Sequence, residues 1–161
     1  MAEKEAKLNS KRVTLEAPNR PEESDAPLAP TILIVEDEPI VAAHQRMILT
    51  EAGYDILGVA PDAEAALLIA HGAAPDIAVF DVGLRDHFDG ITVGRELKRL
   101  YATALVFVTG QLDRAVRERN ELDAVFLGKP FQESEILAAI AEAGRRPRPI
   151  VPGGPERVVR L

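Results

Sequence analysis

The sequence predicts an α/β fold with a doubly wound parallel sheet of five strands. Five short apolar runs are rich in Val and Ile and lack polar alternation, as expected for strands buried on both faces. Segments with helical spacing of apolar residues separate these runs. Repeated strand–helix units build a parallel sheet covered by helices. The predicted strands are residues 32–35, 56–60, 77–80, 104–108 and 124–127.

The predicted helices have recognisable ends. Pro39 stands near the first turn of the first helix, and Gly53 follows its end. Asp62 is placed to cap the second helix, which Gly72 closes. We expect His44, on the inward stripe of the first helix, to be partly buried. The remaining helices are predicted at residues 91–100, 113–120 and 133–143.

The composition predicts one folded unit between two irregular segments. Residues 1–30 combine charged side chains with four prolines, which is typical of a disordered arm. Residues 144–161 contain four prolines and two adjacent glycines, which predicts a flexible tail with its arginines in solvent. The folded domain is therefore predicted to span residues 31–143.

Charge and composition exclude several classes of function. The absence of cysteine excludes disulfides, thiolate metal sites and a cysteine nucleophile. Residues 31–143 carry 19 acids and 9 bases, so a nucleic acid is not expected as the main partner. No apolar run is long enough to cross a bilayer or to form a signal peptide, and we expect a cytoplasmic protein that does not bind membranes.

Polar side chains follow four of the five predicted strands. An acidic pair follows the first strand, single residues follow the third and fourth, and a lysine lies just beyond the fifth. The carboxyl ends of parallel strands share one end of the sheet, where doubly wound folds place their sites. We therefore expect these residues to lie together: Glu36, Asp37, Asp81, Thr109 and Lys129.

This set of side chains fits phosphoryl transfer. Converging carboxylates require a cation, and oxygen ligands without His or Cys favour Mg²⁺, with Mn²⁺ as the alternative. Asp81, held by a rigid strand, is a candidate nucleophile. Phosphoryl transfer mainly needs positioning and charge neutralisation, which Lys129 and Thr109 would supply together with the metal. Each residue alone is as consistent with a cap or a turn, so the interpretation depends on their ordered occurrence.

Four motifs resemble the receiver domains of bacterial two-component systems over residues 31–143. They are ValGluAspGluPro at 35–39, PheAspValGlyLeu at 80–84, PheValThrGly at 107–110 and GlyLysProPhe at 128–131. The resemblance implies a flavodoxin-like (βα)5 fold with strand order 2-1-3-4-5. It also implies that a histidine kinase or a histidine phosphotransfer protein phosphorylates Asp81.

The resemblance assigns further roles to single residues. Mg²⁺ would be held by Glu36, Asp37, Asp81 and the Gly83 carbonyl. Lys129 would contact the phosphoryl oxygens, and the Lys129–Pro130 peptide bond would be cis. Thr109 would move to bond the phosphoryl group, and Phe126 occupies the aromatic switch position that responds to this movement.

Two positions bear on the lifetime of the phosphate. In this family Gly83 and Gln111 would flank the water that attacks the acyl phosphate. Gly83 has no side chain to orient that water, so we hypothesise that the Gln111 amide gives any assistance. PheValThrGly is also similar to the signature PheAlaThrGly of a receiver subgroup whose activation departs from the usual coupling of Thr109 and Phe126.

The leading hypothesis is a stand-alone phosphoacceptor switch that is not an enzyme, because the tail after Ala143 is too short for an effector domain. It either regulates a protein partner or relays its phosphate. One alternative is a metal-dependent phosphatase or hydrolase with an Asp nucleophile, although that motif requires an Asp where this chain has Gly83. A pseudo-receiver that only binds partners is the other. Homodimerisation, through the face after Thr109 or through the arm, stays open.

Overall fold

Strands and helices alternate along the chain in the computed structural model, which describes residues 29–82, 90–110 and 122–152. The strands are β1 Thr31–Val35, β2 Asp55–Ala60, β3 Ile77–Asp81, β4 Ala104–Thr109 and β5 Val125–Gly128. The helices in these ranges are α1 Pro39–Glu51, α2 Ala63–Gly72, α3 Gly90–Tyr101 and α4 Glu133–Arg145. Each predicted strand is present within one residue of its predicted bounds. The helix predicted at 113–120 lies outside the described residues.

All strand pairs are parallel, and the sheet has the order β2-β1-β3-β4-β5. The predicted doubly wound, flavodoxin-like fold is therefore confirmed. The register changes once, between Ile32 and Leu33, where β2 accommodates Leu57 as an additional residue. This topology places the ends of β1, β3, β4 and β5 side by side.

Two apolar layers hold the sheet. On one face, Ile48 and Leu49 of α1 and Ile136 and Ile140 of α4 pack on the strands. On the other, α2 contributes its small buried alanines, and α3 its buried Leu97. Both layers are needed because the central strands β3 and β4 are buried along their whole length. Within the described ranges, no helix has the length and apolar character to cross a membrane.

The helix ends largely follow the predicted signals. Asp62 Oδ1 accepts a hydrogen bond of 2.8 Å from the Ala65 N–H at the start of α2, and Gly53 adopts a φ of 89° just after α1. The prediction for His44 is wrong, because its side chain is exposed. Gln45, one position further on, occupies the buried face instead.

The chain after α4 remains attached to the domain. The predicted boundary at Ala143 falls inside α4, which ends at Arg145. Arg146 forms ion pairs with Asp123 and Glu142, at 2.9 and 2.7 Å. Arg148 pairs with Asp76 at 2.9 Å. The expectation that the tail arginines lie in solvent is therefore wrong for Arg146 and Arg148. The predicted disordered arm lies outside the described residues, apart from positions 29 and 30.

Candidate functional site at the carboxyl end of the sheet

The polar residues that follow the strands lie at the carboxyl end of the sheet, as predicted. Main-chain hydrogen bonds continue the ladder past the last strand residues. Glu36 N–H donates to Ala60 O at 2.9 Å, and Lys129 N–H donates to Thr109 O at 2.8 Å. The site residues are thus carried on a rigid frame.

Asp81 and Lys129 form the central ion pair of the site. Lys129 Nζ lies 2.5 Å from Asp81 Oδ2, although 48 residues separate them in sequence. Asp81 is buried, whereas the lysine side chain is partly open to solvent. The Lys129–Pro130 peptide bond is cis, as the family resemblance implied. A carboxylate at the end of β3 therefore has a fixed cation beside it, which suits the binding of a charged group.

Glu36 is the unusual carboxyl group of the site. Its side chain is 2 % exposed. Oε1 accepts a hydrogen bond from the Glu38 N–H at 3.1 Å, but the buried Oε2 has no hydrogen-bond partner among the described residues. Burial, reinforced by the nearby charge of Asp81, raises the pKa of Glu36 to about 7, against the lowering effects of the Glu38 N–H and Lys129.

The donor set fits a hard divalent cation. A buried carboxylate oxygen without a partner, next to a second carboxylate, is a position that a cation would stabilise. Within the described ranges, no three His, Cys, Asp or Glu side chains form a group that could hold a metal. Mg²⁺ does not require such a group, since it commonly binds one or two carboxylates and retains several waters. Asp37 lies next to Glu36 and is half-buried. Gly83 lies outside the described residues, so its predicted role as a ligand stays a prediction.

The predicted switch residues lie on neighbouring strands. Thr109 ends β4 with 1 % exposure, and Phe126 on β5 is half-buried. The Phe126 ring stacks on Phe107, with ring centroids 5.3 Å apart. Their movement on phosphorylation remains a prediction. Gln111, the predicted tuning residue, lies outside the described residues.

Sequence reasoning missed two features of the buried interior. Phe107 touches both Phe80 and Phe126. The available signal was that each ring precedes a site residue by one to three positions on a parallel strand. The second feature is Gln45, whose buried Nε2 has no partner among the described residues. Gln45 has helical i, i+3 and i+4 spacing with Ile48 and Leu49, which indicates the same face of α1, but its polar side chain led away from predicting burial.

Comparison with known proteins identifies the class. The family model for the response regulator receiver domain matches residues 32–141. The chain belongs to this family. Its members are generally signalling switches rather than enzymes, and they receive a phosphoryl group from a phosphodonor partner.

Individual relatives agree with this family. The chain is 28 % identical over 119 residues to the phyllosphere-induced regulator PhyR of Methylorubrum extorquens, covering 73 % of this chain and 45 % of PhyR. It is 32 % identical over 130 residues to the transcriptional regulatory protein PdtaR of Mycobacterium tuberculosis, covering 80 % of this chain and 63 % of PdtaR. The chain thus spans only part of the length of these relatives.

A solved structure supports the same fold. The receiver domain of PhyR from Erythrobacter litoralis, determined by NMR, superposes with a TM-score of 0.67. The match covers 76 % of this chain and 97 % of that domain at 24 % identity. At this identity the likeness concerns the fold alone.

Proposed function

We propose that this chain is a phosphoacceptor switch in which Asp81 takes a phosphoryl group from a phosphohistidine donor. The observation that carries the proposal is the 2.5 Å contact between Lys129 Nζ and Asp81 Oδ2 at the carboxyl end of the sheet. A histidine kinase or a histidine phosphotransfer protein would supply the phosphoryl group. The phosphorylated form would then regulate a protein partner or pass the phosphate on.

The chemistry is a displacement at phosphorus. A carboxylate oxygen of Asp81 attacks the phosphorus atom, a P–O bond forms, the P–N bond to the donor imidazole breaks, and the imidazole nitrogen keeps the electron pair. Lys129 neutralises charge on the phosphoryl oxygens. The Thr109 hydroxyl is placed one strand away, where it would donate a hydrogen bond to a phosphoryl oxygen.

Mg²⁺, or Mn²⁺ in its place, is the proposed cofactor. Glu36, Asp37, Asp81 and the Gly83 carbonyl would hold it, and it would neutralise charge on the transferred group. The unpartnered oxygen of Glu36 supports this assignment.

The phosphorylation proposal is tested with acetyl phosphate and Mg²⁺, followed by intact-protein mass spectrometry. We expect the wild type to gain the mass of one phosphoryl group and D81N to gain none. D55N is the matched control, because the exposed Asp55 begins β2 at the amino end of the sheet, opposite the site. An unmodified wild type, also with a competent kinase present, would contradict the proposal and favour a pseudo-receiver.

Metal binding is tested separately by titration calorimetry with Mg²⁺ in the absence of any phosphodonor. We expect E36Q to weaken the binding and D55N to leave it unchanged. Equal heats of binding for the wild type and E36Q would remove Glu36 from the ligand set.

A further inference from the structure

Three phenylalanine rings form a row across β3, β4 and β5. Phe80 pairs in register with Phe107, and Phe107 pairs in register with Phe126. The ring centroids are 5.2 and 5.3 Å apart, and the ring planes differ by 25° and 22°. Stacked aromatic pairs add stabilisation beyond the area they bury. The row therefore joins the three strands that carry Asp81, Thr109 and Lys129.

The rings differ in how tightly they are enclosed. Phe80 and Phe107 are fully buried, whereas Phe126 is half-buried on β5, at the end of the strand order. Phe126 is therefore the ring of this row that has room to move. Within the row, its single contact is with Phe107.

Gly94 of α3 holds Phe107 from the helix side. A Cβ atom at position 94 would lie 2.7 Å from Phe107 Cζ and 3.3 Å from Leu105 Cδ1. The helix approaches the ring so closely that no side chain fits between them. With Phe80 stacked on it within the sheet, Phe107 is a fixed platform for Phe126.

We infer that Phe107 is a positioning residue for the switch ring Phe126, because its ring determines how readily the Phe126 ring leaves its half-buried place. The consequence for signalling rests on the proposed function, but the ring contact does not. Loss of one stacked pair shifts a ring equilibrium by about two- to tenfold. The side chain at position 107 would thus adjust how readily Phe126 responds to phosphorylation.

The test places 4-fluorophenylalanine at position 126 and records its ¹⁹F resonance without metal or phosphodonor. We expect F107L to shift this resonance towards its solvent-exposed position or to add a second signal. I140V is the control, because Ile140 of α4 is equally buried but packs in the other apolar layer. We expect I140V to leave the resonance close to that of the wild type.

A second variant covers the case in which F107L does not fold. G94A pushes on the Phe107 ring from the helix, so it should also move the resonance at position 126. An unchanged resonance in every folded variant of Phe107 and Gly94, or an equal shift in I140V, would overturn the inference.

Phosphorylation kinetics provide the functional measurement. With acetyl phosphate, we expect the phosphorylation rate or phosphate lifetime of F107L to change about two- to tenfold, the size of one stacking contact, with I140V close to wild type. Wild-type kinetics in F107L would overturn the role in switching. If the wild type itself accepts no phosphoryl group while the ¹⁹F shift is observed, the proposed function fails and the ring contact stands.

Discussion

The two ends of the sheet differ in how fully their buried carboxyl groups are hydrogen-bonded. At the amino end, where the strands begin, the Asp76 carboxylate accepts hydrogen bonds from the Thr31 N–H at 2.9 Å, the Thr31 hydroxyl at 3.0 Å and Arg148 at 2.9 Å. At the carboxyl end, the buried Glu36 keeps an oxygen without a partner among the described residues. The Asp76 carboxylate has hydrogen-bond partners on both oxygens and links the start of β1 to the segment after α4. The buried Glu36 oxygen without a partner instead lowers the stability of the fold.

The pKa values express the same contrast. Burial alone would raise the pKa of Asp76, but the hydrogen bonds from Thr31 and Arg148 outweigh it and the pKa lies below its usual value. Burial and the charge of Asp81 instead raise the pKa of Glu36 to about 7. Complete hydrogen bonding at the amino end of the sheet and an unpartnered buried carboxyl oxygen at the carboxyl end are typical of a scaffold that supports a binding site.

The largest expected effect comes from removing the cation at the carboxyl end. K129M should lower the rate of Asp81 phosphorylation by acetyl phosphate by about 100-fold or more, because one fixed charge on the transferred group is lost. K98M is the control, since Lys98 pairs with the exposed Asp123. Time-resolved mass spectrometry measures both rates, and similar rates for the two variants would contradict the assigned role of Lys129.

The next effect concerns stability at the amino end. D76N should lower the free energy of unfolding by about 2 kcal/mol at pH 7, because hydrogen bonds to a charged, partly buried group are weakened. The pKa of Asp76 is lowered in the folded state, so its stabilisation is complete above about pH 4, the unfolded value, and is lost as the pH falls through the folded pKa. Urea unfolding at pH 7 and in acid should therefore show the two proteins converging in acid. A constant difference at all pH values would contradict this.

The opposite pH dependence is expected for Glu36. Because its pKa is raised in the folded state, the buried carboxyl group does not lower the free energy of unfolding below pH 4.5, where it is neutral in both states. The free energy of unfolding falls as the pH rises from 4.5 through about 7. Without divalent metal, E36Q should therefore gain at least about 1 kcal/mol of stability relative to the wild type as the pH rises from 4.5 to 7. Thermal unfolding at several pH values measures the gain. If the stabilities of the wild type and E36Q change in parallel with pH, the charge of Glu36 does not destabilise the folded protein.

The smallest effect is expected where the tail is attached. R148A should cost less than about 1 kcal/mol, since it removes a single partly exposed ion pair with Asp76. R99A, which breaks the exposed pair with Glu96, should leave the unfolding curve unchanged. Phosphorylation should stay at the wild-type rate in both. A slower rate in R148A would show that the two ends of the sheet are coupled.

Local patterns predicted most of the fold. Apolar runs without alternation identified the strands, and Asp62 and Gly53 marked helix ends that the structure contains. His44 shows the limit of this reasoning. Helical spacing defines an apolar stripe only to within one residue. The buried position is Gln45, and its polar side chain does not suggest burial.

The sequence by itself determined the five strand–helix units and the order of polar residues that follow the strands, because burial on both faces and chain turns leave local signals. Only the tertiary structure decided which distant groups meet. The sequence predicted that Asp81 and Lys129 share one end of the sheet. Their direct ion pair, like the contacts of Asp76 with Arg148 and of Phe107 with Phe126, depends on register and on packing across the whole sheet. The unpartnered oxygen of Glu36 likewise follows from burial, a property that no short segment of the chain contains.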